Sequence, residues 1–480
     1  MPLPQVIVRR GDRGAAPFPA DDVSTRFEAV VTERGPVGQA VECRSFAQVR
    51  DLFGGHTSTS TLRAVEAYFA EGGGRAVLSR VVGTDSVNAS LNLSGATTGV
   101  VLKVSAVGSG PWYHGVRVRV EGNTGNDRRI TLTLNDALLV SGTVSDVAGA
   151  IALINSSGLA TAGVPRTDVA AWPPREIPTA TALAGGDDDI TSVSALTAAE
   201  IGAALDVFDE DLGAGSVCAS AWDDRTVFEA LADHAAANNR FARGDFGPNA
   251  DVETMRTTAE YIRGRANARH IQLLAGWLNV SVAGVSVPVA PSGVHLGREA
   301  QADRENGAGP AQPAAWTFGE YRTPIGLVRP FTRTERETLN SAGITVITQD
   351  AQGAIYAEDA ITAVDGTRYP QYAEVAAMRV TMAIHAQAKQ VLHQRVMQTI
   401  DGQGHLAAAT TGDLVAICAD WYARGALYGA DAAEAFSASV VAETEAGQKP
   451  RLVGYLALRP SPSAHTVELT ITQVAPSDTI

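Results

Sequence analysis

The sequence is poor in cysteine, in long apolar runs and in basic residues. Its three cysteines, Cys43, Cys218 and Cys418, lie far apart and form no C-x-x-C pair, so neither a zinc knuckle nor a disulfide framework is indicated. No run approaches the roughly 20 apolar residues that span a bilayer. Lys and Arg number 38 against 52 Asp and Glu, and the net charge of -14 argues against a general nucleic-acid-binding protein. These absences favour a protein of a reducing compartment that inserts into no membrane.

The composition is that of a large globular chain. Hydrophobic residues make up 45% of the 480 and charged residues only 19%, so the chain can bury large cores. The N-terminal stretch MPLPQVIVRRGDRG has only a short apolar run at 6–8, and its arginines follow that run, which is the wrong order for a signal peptide. We therefore expect the protein to be made and folded in a cytoplasm.

Three consecutive glycines followed by arginine, within AYFAEGGGRAVLSRV at 67–81, invite comparison with a phosphate-binding loop. Before them, Leu62, Val65 and Phe69 fall on one face of a helix, and the apolar run after them predicts a buried strand. A phosphate loop needs the opposite order, because the free N–H groups that bind phosphate lie at a helix N-terminus. We therefore predict that residues 72–75 end a helix and lead into a strand.

The middle of the chain changes pattern twice. Apolar residues alternate with polar ones at 116–120 and at 130–134, and Asn135 and Asp136 have the composition of a hairpin turn, so residues 87–184 are predicted to form an antiparallel β domain. Helical and strand-like runs then alternate, as in a layered α/β arrangement. The stretch 287–324 is rich in Gly, Pro and Ala and is predicted to be mainly loop.

Both ends of the chain carry short strand-forming segments. One is the run at 6–8; in the other, Val467, Leu469 and Ile471 alternate with Thr and Glu after a long predicted helix at 372–400. A lone terminal strand cannot satisfy its own N–H and C=O groups, so it must pair with a sheet in the same chain or in a neighbouring one. This pattern indicates polymerisation.

No constellation of residues indicates catalysis, a cofactor or a metal. His385 and His393 lack the H-E-x-x-H pattern and an adjacent carboxylate, which favours ordinary helix-surface histidines. The acidic run 187–189 lacks the glutamate of a calcium loop and is interpreted as a solvated turn. Cys218 lies in a predicted buried strand, where a thiol packs as a small apolar group. We expect no enzyme.

Five stretches in order carry a resemblance to a known family. They are TERGPVGQAVECRSFAQVRDLFGG, AYFAEGGGRAVLSRVVG, VSAVGSGPWYHGVRVRVE with the return LAGGDDD, WYARGALYGADAAEAFSAS, and RLVGYLALRPSPSAHTVELTITQ. Together they resemble the contractile tail sheath proteins of contractile phage tails and related bacterial contractile injection systems. The resemblance covers nearly the whole chain.

The resemblance implies a mixed α/β (α+β), multi-domain fold with a sheath core, an inserted antiparallel β-rich domain and extended terminal strand arms. The expected divisions are an N-terminal extended arm at 1–25, a first segment of the sheath core at 26–86, the inserted β-rich domain at 87–184, a second segment of the sheath core at 185–365, a C-terminal helical and αβ region of the core at 366–450, and a C-terminal strand arm at 451–480. The residues expected to form strands between subunits are Val6, Ile7, Val8, Val467, Leu469 and Ile471.

The resemblance also implies a structural role without a cofactor. Many copies of the chain would polymerise helically around an inner tube and contract to drive the tube through a target membrane. The implied partners are other copies, the inner tube protein, and baseplate and terminator or cap proteins. The implied location is assembly in the bacterial cytoplasm, in a phage virion tail, a released particle or an intracellular injection system.

Two interpretations stay open beside these expectations. Arg379, Lys389 and Arg395 on the long helix are predicted to contact acidic groups of the tube, or else to form a solvated helix face. The competing function is a soluble α/β enzyme or nucleotide-binding protein.

Overall fold

The computed structural model describes residues 23–58, 60–96, 98–443 and 450–465. Its strands are β1 (Arg26–Val30), β2 (Val41–Cys43), β3 (Ala76–Arg80), β4 (Asn88–Ser94), β5 (Val100–Ser109), β6 (Val116–Gly122), β7 (Arg128–Leu134), β8 (Ala137–Val144), β9 (Ala160–Gly163), β10 (Ile177–Ala182), β11 (Ser216–Cys218), β12 (Phe241–Asp245), β13 (Ile271–Ala275), β14 (Leu278–Val282), β15 (Val285–Val289), β16 (Pro324–Leu327), β17 (Ile344–Gln349), β18 (Ile355–Ala357), β19 (Phe436–Glu443) and β20 (Arg451–Leu458). Its helices are α1 (Phe46–Phe53), α2 (Arg63–Ala70), α3 (Val147–Asn155), α4 (Ala198–Leu205), α5 (Arg225–Ala237), α6 (Val252–Arg263), α7 (Pro291–Glu305), α8 (Arg333–Ser341), α9 (Val375–Arg395), α10 (His405–Ala423) and α11 (Ala432–Ala435). Among the described residues, no helix has the length and apolarity needed to cross a bilayer.

An eight-stranded sheet lies at the centre of the fold. Its strand order is β18-β17-β13-β12-β11-β1-β3-β2. The strands from β17 to β3 are parallel, and β18 and β2 are antiparallel edges. β1 and β3 are buried along their whole length, as expected for parallel strands covered by helices on both faces. The predicted mixed α/β class is confirmed.

Alternate side chains of the central strands enter two different cores. Phe27, Val77 and Val217 pack with apolar residues of α4, α5, α6 and α8. Leu78 and Cys218, each one residue further along its strand, pack on the other face with residues of α1, α2 and α7. This follows from the two-residue period of a strand, which turns successive side chains to opposite faces.

The glycine run joins α2 to β3. Gly72 has a φ of 118°, and the Gly73 N–H donates to the Tyr68 carbonyl at 2.8 Å, which closes the helix. A Cβ on Gly73 would lie 2.4 Å from the Tyr68 ring, so only glycine fits there. The Tyr68 hydroxyl donates to the Arg75 carbonyl at 2.8 Å at the start of β3. The predicted order of helix, glycine and strand is confirmed.

The prediction that 287–324 is mainly loop is wrong for part of this stretch. It contains α7, a buried 15-residue helix that begins at Pro291. Its small residues reflect close packing against α2. A Cβ on Gly293 would lie 2.7 Å from the Ala64 carbonyl oxygen, and a Cβ on Gly297 would lie 2.6 Å from that of Tyr68. Because backbone meets backbone here, the segment lacks the large apolar residues that indicate a buried helix in a sequence.

The opposite side of α7 carries buried charges. Arg243 of β12 donates to Glu299 at 2.6 Å, the Arg379 guanidinium of α9 lies 3.9 Å from the same carboxylate, and His295 lies 3.5 Å from it. Burial alone raises the pKa of Glu299, but the charges of Arg243 and Arg379 outweigh burial and hold the pKa well below its usual range. This ion network joins the sheet, α7 and α9.

Asp245, at the end of β12, is less well compensated. Its Oδ1 accepts the Ser292 N–H of α7 at 2.8 Å, whereas its Oδ2 is buried with no hydrogen-bond partner among the described residues. Burial raises the pKa of the Asp245 carboxyl to about 6. Between the pKa of an unfolded aspartate, roughly 3.9, and about 6, the folded chain therefore keeps a proton there that the unfolded chain releases.

The β-rich region forms two antiparallel sheets, with strand orders β4-β5-β9 and β10-β6-β7-β8, around a shared apolar core. The alternation predicted at 116–120 is observed, since Val116, Val118 and Val120 are buried. Asn135 and Asp136, with φ values of 46° and 70°, form the predicted turn between β7 and β8.

The acidic run at 187–189 joins this region to the central sheet. Buried Arg80, at the end of β3, pairs with Asp188 at 2.8 Å and donates to the Ser109 carbonyl at 3.0 Å at the end of β5. Asp188 also accepts the Ser109 hydroxyl at 2.7 Å. The interpretation as a solvated turn is therefore wrong for Asp188, because its carboxylate neutralises a buried guanidinium that is distant in the sequence.

Gly293→Ala should destabilise the protein by about 1–3 kcal/mol, because the new methyl group forces α7 away from α2. Gly202→Ala is the matched control: it lies in α4, has nothing within 4 Å of its added Cβ, and should be neutral or stabilising by up to about 1 kcal/mol. Urea unfolding measures both changes. Equal effects of the two substitutions would contradict the close-packing explanation of α7.

The parent protein should lose stability as the pH rises through the pKa of Asp245, and Asp245→Asn should remove this loss. The pKa of an unfolded aspartate is roughly 3.9, and the pKa of Asp245 in the folded protein is about 6. The folded state therefore binds more protons between these values, and the parent's stability falls as the pH rises through them. From about pH 5 to 7 the variant should gain about 1 kcal/mol relative to the parent. Urea unfolding across this pH range measures the change, and Asp206→Asn, at an exposed aspartate, is the control. If the difference in unfolding free energy between parent and variant does not change with pH, Asp245 is already ionised in the folded protein.

Candidate assembly surface

α9 and α10 form an antiparallel helix pair. Arg395 of α9 pairs with Asp413 of α10 at 3.2 Å, and Trp421 of α10 donates to the Gln387 side chain of α9 at 2.9 Å. Residue numbers thus rise along one helix as they fall along the other. The pair packs in an apolar core shared with Phe241 of β12 and with the turn after α10, whose buried members include Val375, Val380, Met382, Ile384, Leu427, Cys418 and Trp421. It provides the platform for the next element.

The platform carries a two-stranded antiparallel hairpin. β19 and β20 pair from Phe436 opposite Leu458 to Glu443 opposite Arg451. One face of the hairpin contacts α10, and Tyr455 on β20 stays 61% exposed. Isolated two-stranded sheets are marginally stable in water, so a hairpin of this kind is stabilised when further strands join it.

The two edges of this hairpin differ. On β19, the Val440 N–H donates to the Thr411 hydroxyl of α10 at 3.1 Å, so one donor that points away from β20 is already bonded. Along β20, no residue of the described chain other than those of β19 pairs with the backbone. Within the described ranges, the outer edge of β20 is therefore open, and its N–H and C=O groups can accept an added strand.

The chain leaves β20 through residues 459–465, here named the strap. The Ser461 N–H donates to the Ala426 carbonyl at 2.9 Å, and its hydroxyl donates to the Gly425 carbonyl at 2.8 Å. The Tyr428 N–H donates to the Arg459 carbonyl at 2.7 Å. The strap is thus bound to the turn that follows α10. It also borders a groove of about 880 Å³ whose other walls include α8 and the 308–318 loop.

Comparison by sequence finds no match: no protein-family model and no curated protein is similar to the chain. Comparison by structure finds similar proteins. The sheath tail protein of Listeria innocua has a TM-score of 0.62 at 13% identity, over 90% of this chain and 94% of that one. The contracted helical sheath of the anti-feeding prophage has a TM-score of 0.56 at 14% identity, over 98% and 99%. The contracted PVC sheath complex of an extracellular contractile injection system has a TM-score of 0.57 at 12% identity, over 99% and 98%.

The chain has the tail sheath fold.

The sheath fold confirms the resemblance at the level of architecture and over nearly the whole length of the chain. The predicted strand residues Val6, Ile7, Val8, Val467, Leu469 and Ile471 lie outside the described residues. The predicted C-terminal arm at 451–480 begins with β20, which the structure pairs with β19 inside the subunit. The contact of this arm with a neighbouring copy stays a prediction.

The three cations predicted to contact the tube do not share a surface. Arg379 is 2% exposed, and its guanidinium pairs with Asp303 of α7 at 3.2 Å. Lys389 is exposed and lies 3.1 Å from Glu210, and Arg395 pairs with Asp413. Arg379 therefore belongs to the ion network inside the fold. The contact with the tube stays a prediction, for which the structure leaves Lys389 and Arg395 accessible.

The other singled-out residues have ordinary surroundings. His385 and His393 are exposed on α9, as interpreted from the sequence. Cys218 is buried in β11, and burial raises the pKa of its thiol. In the described ranges, no group of three or more His, Cys, Asp or Glu side chains is placed to hold a metal ion. The feature that sequence reasoning missed is the bound strap, since nothing in its own residues indicates what binds it.

Proposed function

We propose that this protein is the structural subunit of a contractile sheath, which polymerises helically around an inner tube and contracts to drive the tube through a target membrane. The observation that carries the proposal is a tail sheath fold bearing a hairpin with an open edge at β20. The proposed role uses no catalytic residue and no cofactor. The energy for contraction would be stored in the extended lattice when it assembles.

In the proposed lattice, the N- and C-terminal arms of neighbouring copies add strands to the β19–β20 hairpin. Backbone hydrogen bonds supply the affinity, and alternate side chains set the register. Each bond contributes only about 1 kcal/mol, so one arm binds weakly. A subunit joined to several neighbours stays in the lattice, because each further bond forms at a high effective concentration.

The proposal includes an inner tube protein and baseplate and terminator proteins as partners, and assembly in a bacterial cytoplasm. It is supported by the structural similarity to chains from a sheath and from a baseplate complex of the anti-feeding prophage. Within this proposal, exposed Lys389 and partly exposed Arg395 contact acidic groups of the tube.

Deleting residues 466–480 should leave a folded subunit that does not polymerise, because the deletion spares β20 and the strap while it removes the proposed arm. Negative-stain microscopy of the parent should show tubes or rings, and the truncated chain should show discrete particles. Their unfolding midpoint should equal that of the parent measured below its critical concentration. Tubes of normal length from the truncated chain would refute arm exchange. Discrete particles from the parent, together with thermal stabilisation by nucleotides, would favour a soluble enzyme instead.

The double variant Lys389→Glu with Arg395→Glu should assemble fewer sheaths on inner tubes, because both reversed charges would face acidic groups. Arg117→Glu with Arg119→Glu is the matched control, since these two arginines are also partly exposed and paired within the subunit, but lie on β6. The measurement is the number of tube-filled sheaths seen by electron microscopy in host cells expressing each variant. Equal numbers for the two double variants would contradict the tube contact.

A further inference from the structure

Glu374 directs its side chain to the strap and not to its own helix. It is the N-cap residue of α9, yet its carboxylate makes no capping hydrogen bond to that helix. Both carboxylate oxygens accept the Ser463 N–H, at 3.1 and 3.2 Å, and one also accepts the Ser463 hydroxyl at 2.7 Å. Hydrogen bonds to an ionised carboxylate are roughly twice as strong as neutral ones. Glu374 therefore binds the strap without supporting α9.

A second carboxylate faces the end of the strap. The His465 ring lies 3.4 Å from Glu374 through Nε2 and 3.5 Å from Asp359 through Nδ1. Asp359 is held in place, because its Oδ2 accepts the Asn340 amide of α8 at 3.0 Å and its Oδ1 accepts the Ala360 N–H at 2.7 Å. The two carboxylates thus lie close to the two ring nitrogens of His465, the last described residue.

The strap is bound at both ends. The backbone of the turn after α10 binds its beginning, through Ser461. Glu374 binds Ser463 near its end, and both carboxylates lie close to the His465 ring. The strap's side chains remain half-buried or exposed, so its binding contributes little to the apolar core. Polar contacts, and not core burial, therefore hold the strap on the body.

We propose that Glu374 and Asp359 form a clamp that holds the strap on the body and makes His465 the point from which the C-terminal arm leaves the subunit. This inference rests on the proposed sheath function. With the clamp closed, only residues 466–480 form the tether to a neighbour. With it open, the tether also includes residues 462–465, because Ser461 stays bound to the turn after α10. A longer tether without a fixed direction lowers the effective concentration of the arm at the neighbouring hairpin.

Glu374→Ala should raise the critical concentration for polymerisation about 1.5- to 2-fold, because it opens the clamp, and the longer tether lowers the effective concentration of the arm. The unfolding midpoint should not change, since Glu374 does not cap α9. Glu337→Ala is the matched control: Glu337 lines the same groove but pairs with Arg333 on its own helix. Sedimentation measures the critical concentration. If the critical concentration of Glu374→Ala equals that of the parent, the clamp proposal is wrong.

A disulfide variant tests whether the defect of Glu374→Ala comes from the released strap or from damage elsewhere in the subunit. The double variant Glu374→Cys with Ser463→Cys replaces the clamp by a covalent bond, and the native Cys43, Cys218 and Cys418 are buried and do not compete. The oxidised form should polymerise at the parent's critical concentration, and the reduced form should behave like Glu374→Ala. If the oxidised form is as defective as the reduced one, holding the strap is not what assembly requires.

The clamp proposal can also be tested independently of the proposed sheath function. If the parent forms no polymer under any condition, the proposed function is refuted, and hydrogen exchange of the peptide at 459–465 then tests the clamp alone. Faster exchange at Ser463 in Glu374→Ala than in Glu337→Ala supports the clamp, because the carboxylate protects that N–H. Equal exchange rates in the two variants overturn it.

Discussion

The arrangement of this fold depends on the buried carboxylate of Glu299. Arg243 reaches it from the central sheet and Arg379 from α9, while Glu299 itself belongs to α7. Burying charges is costly, and removing one partner of a buried pair costs about 3–5 kcal/mol because the other charge is left uncompensated. The three elements can therefore satisfy their charges only in one relative position. The two glycines of α7 act together with this network, because they let the helix approach α2 closely.

This network has a consequence for the proposed sheath. The hairpin that is proposed to receive neighbouring arms lies on α10, which packs on α9, and Arg379 joins α9 to Asp303 and Glu299 of α7. A force applied at the edge of β20 would reach the central sheet through these contacts. The proposed movements during contraction then lie between subunits, and the clamped strap defines where the tether between them begins.

Local patterns in the sequence predicted the elements whose geometry is local. The alternation at 116–120 produced β6, and the glycine run ended α2, because both depend on residues within a few positions of each other. The prediction failed for α7, whose small residues meet a backbone that lies more than two hundred positions earlier. It also failed for Arg379 and Asp188, since a charged side chain looks solvent-exposed until its partner is known.

The strand periods, the helix ends and the class of fold follow from local patterns in the sequence, because backbone geometry and side-chain spacing act over short distances along the chain. Which charges are buried, and which carboxylate binds the strap, depends on the packing of distant elements. Arg243 and Glu299 are 56 residues apart, Asp303 and Arg379 are 76, and Glu374 and Ser463 are 89. Such pairs arise from the way the sheet and helices pack, and no local pattern in the sequence records them.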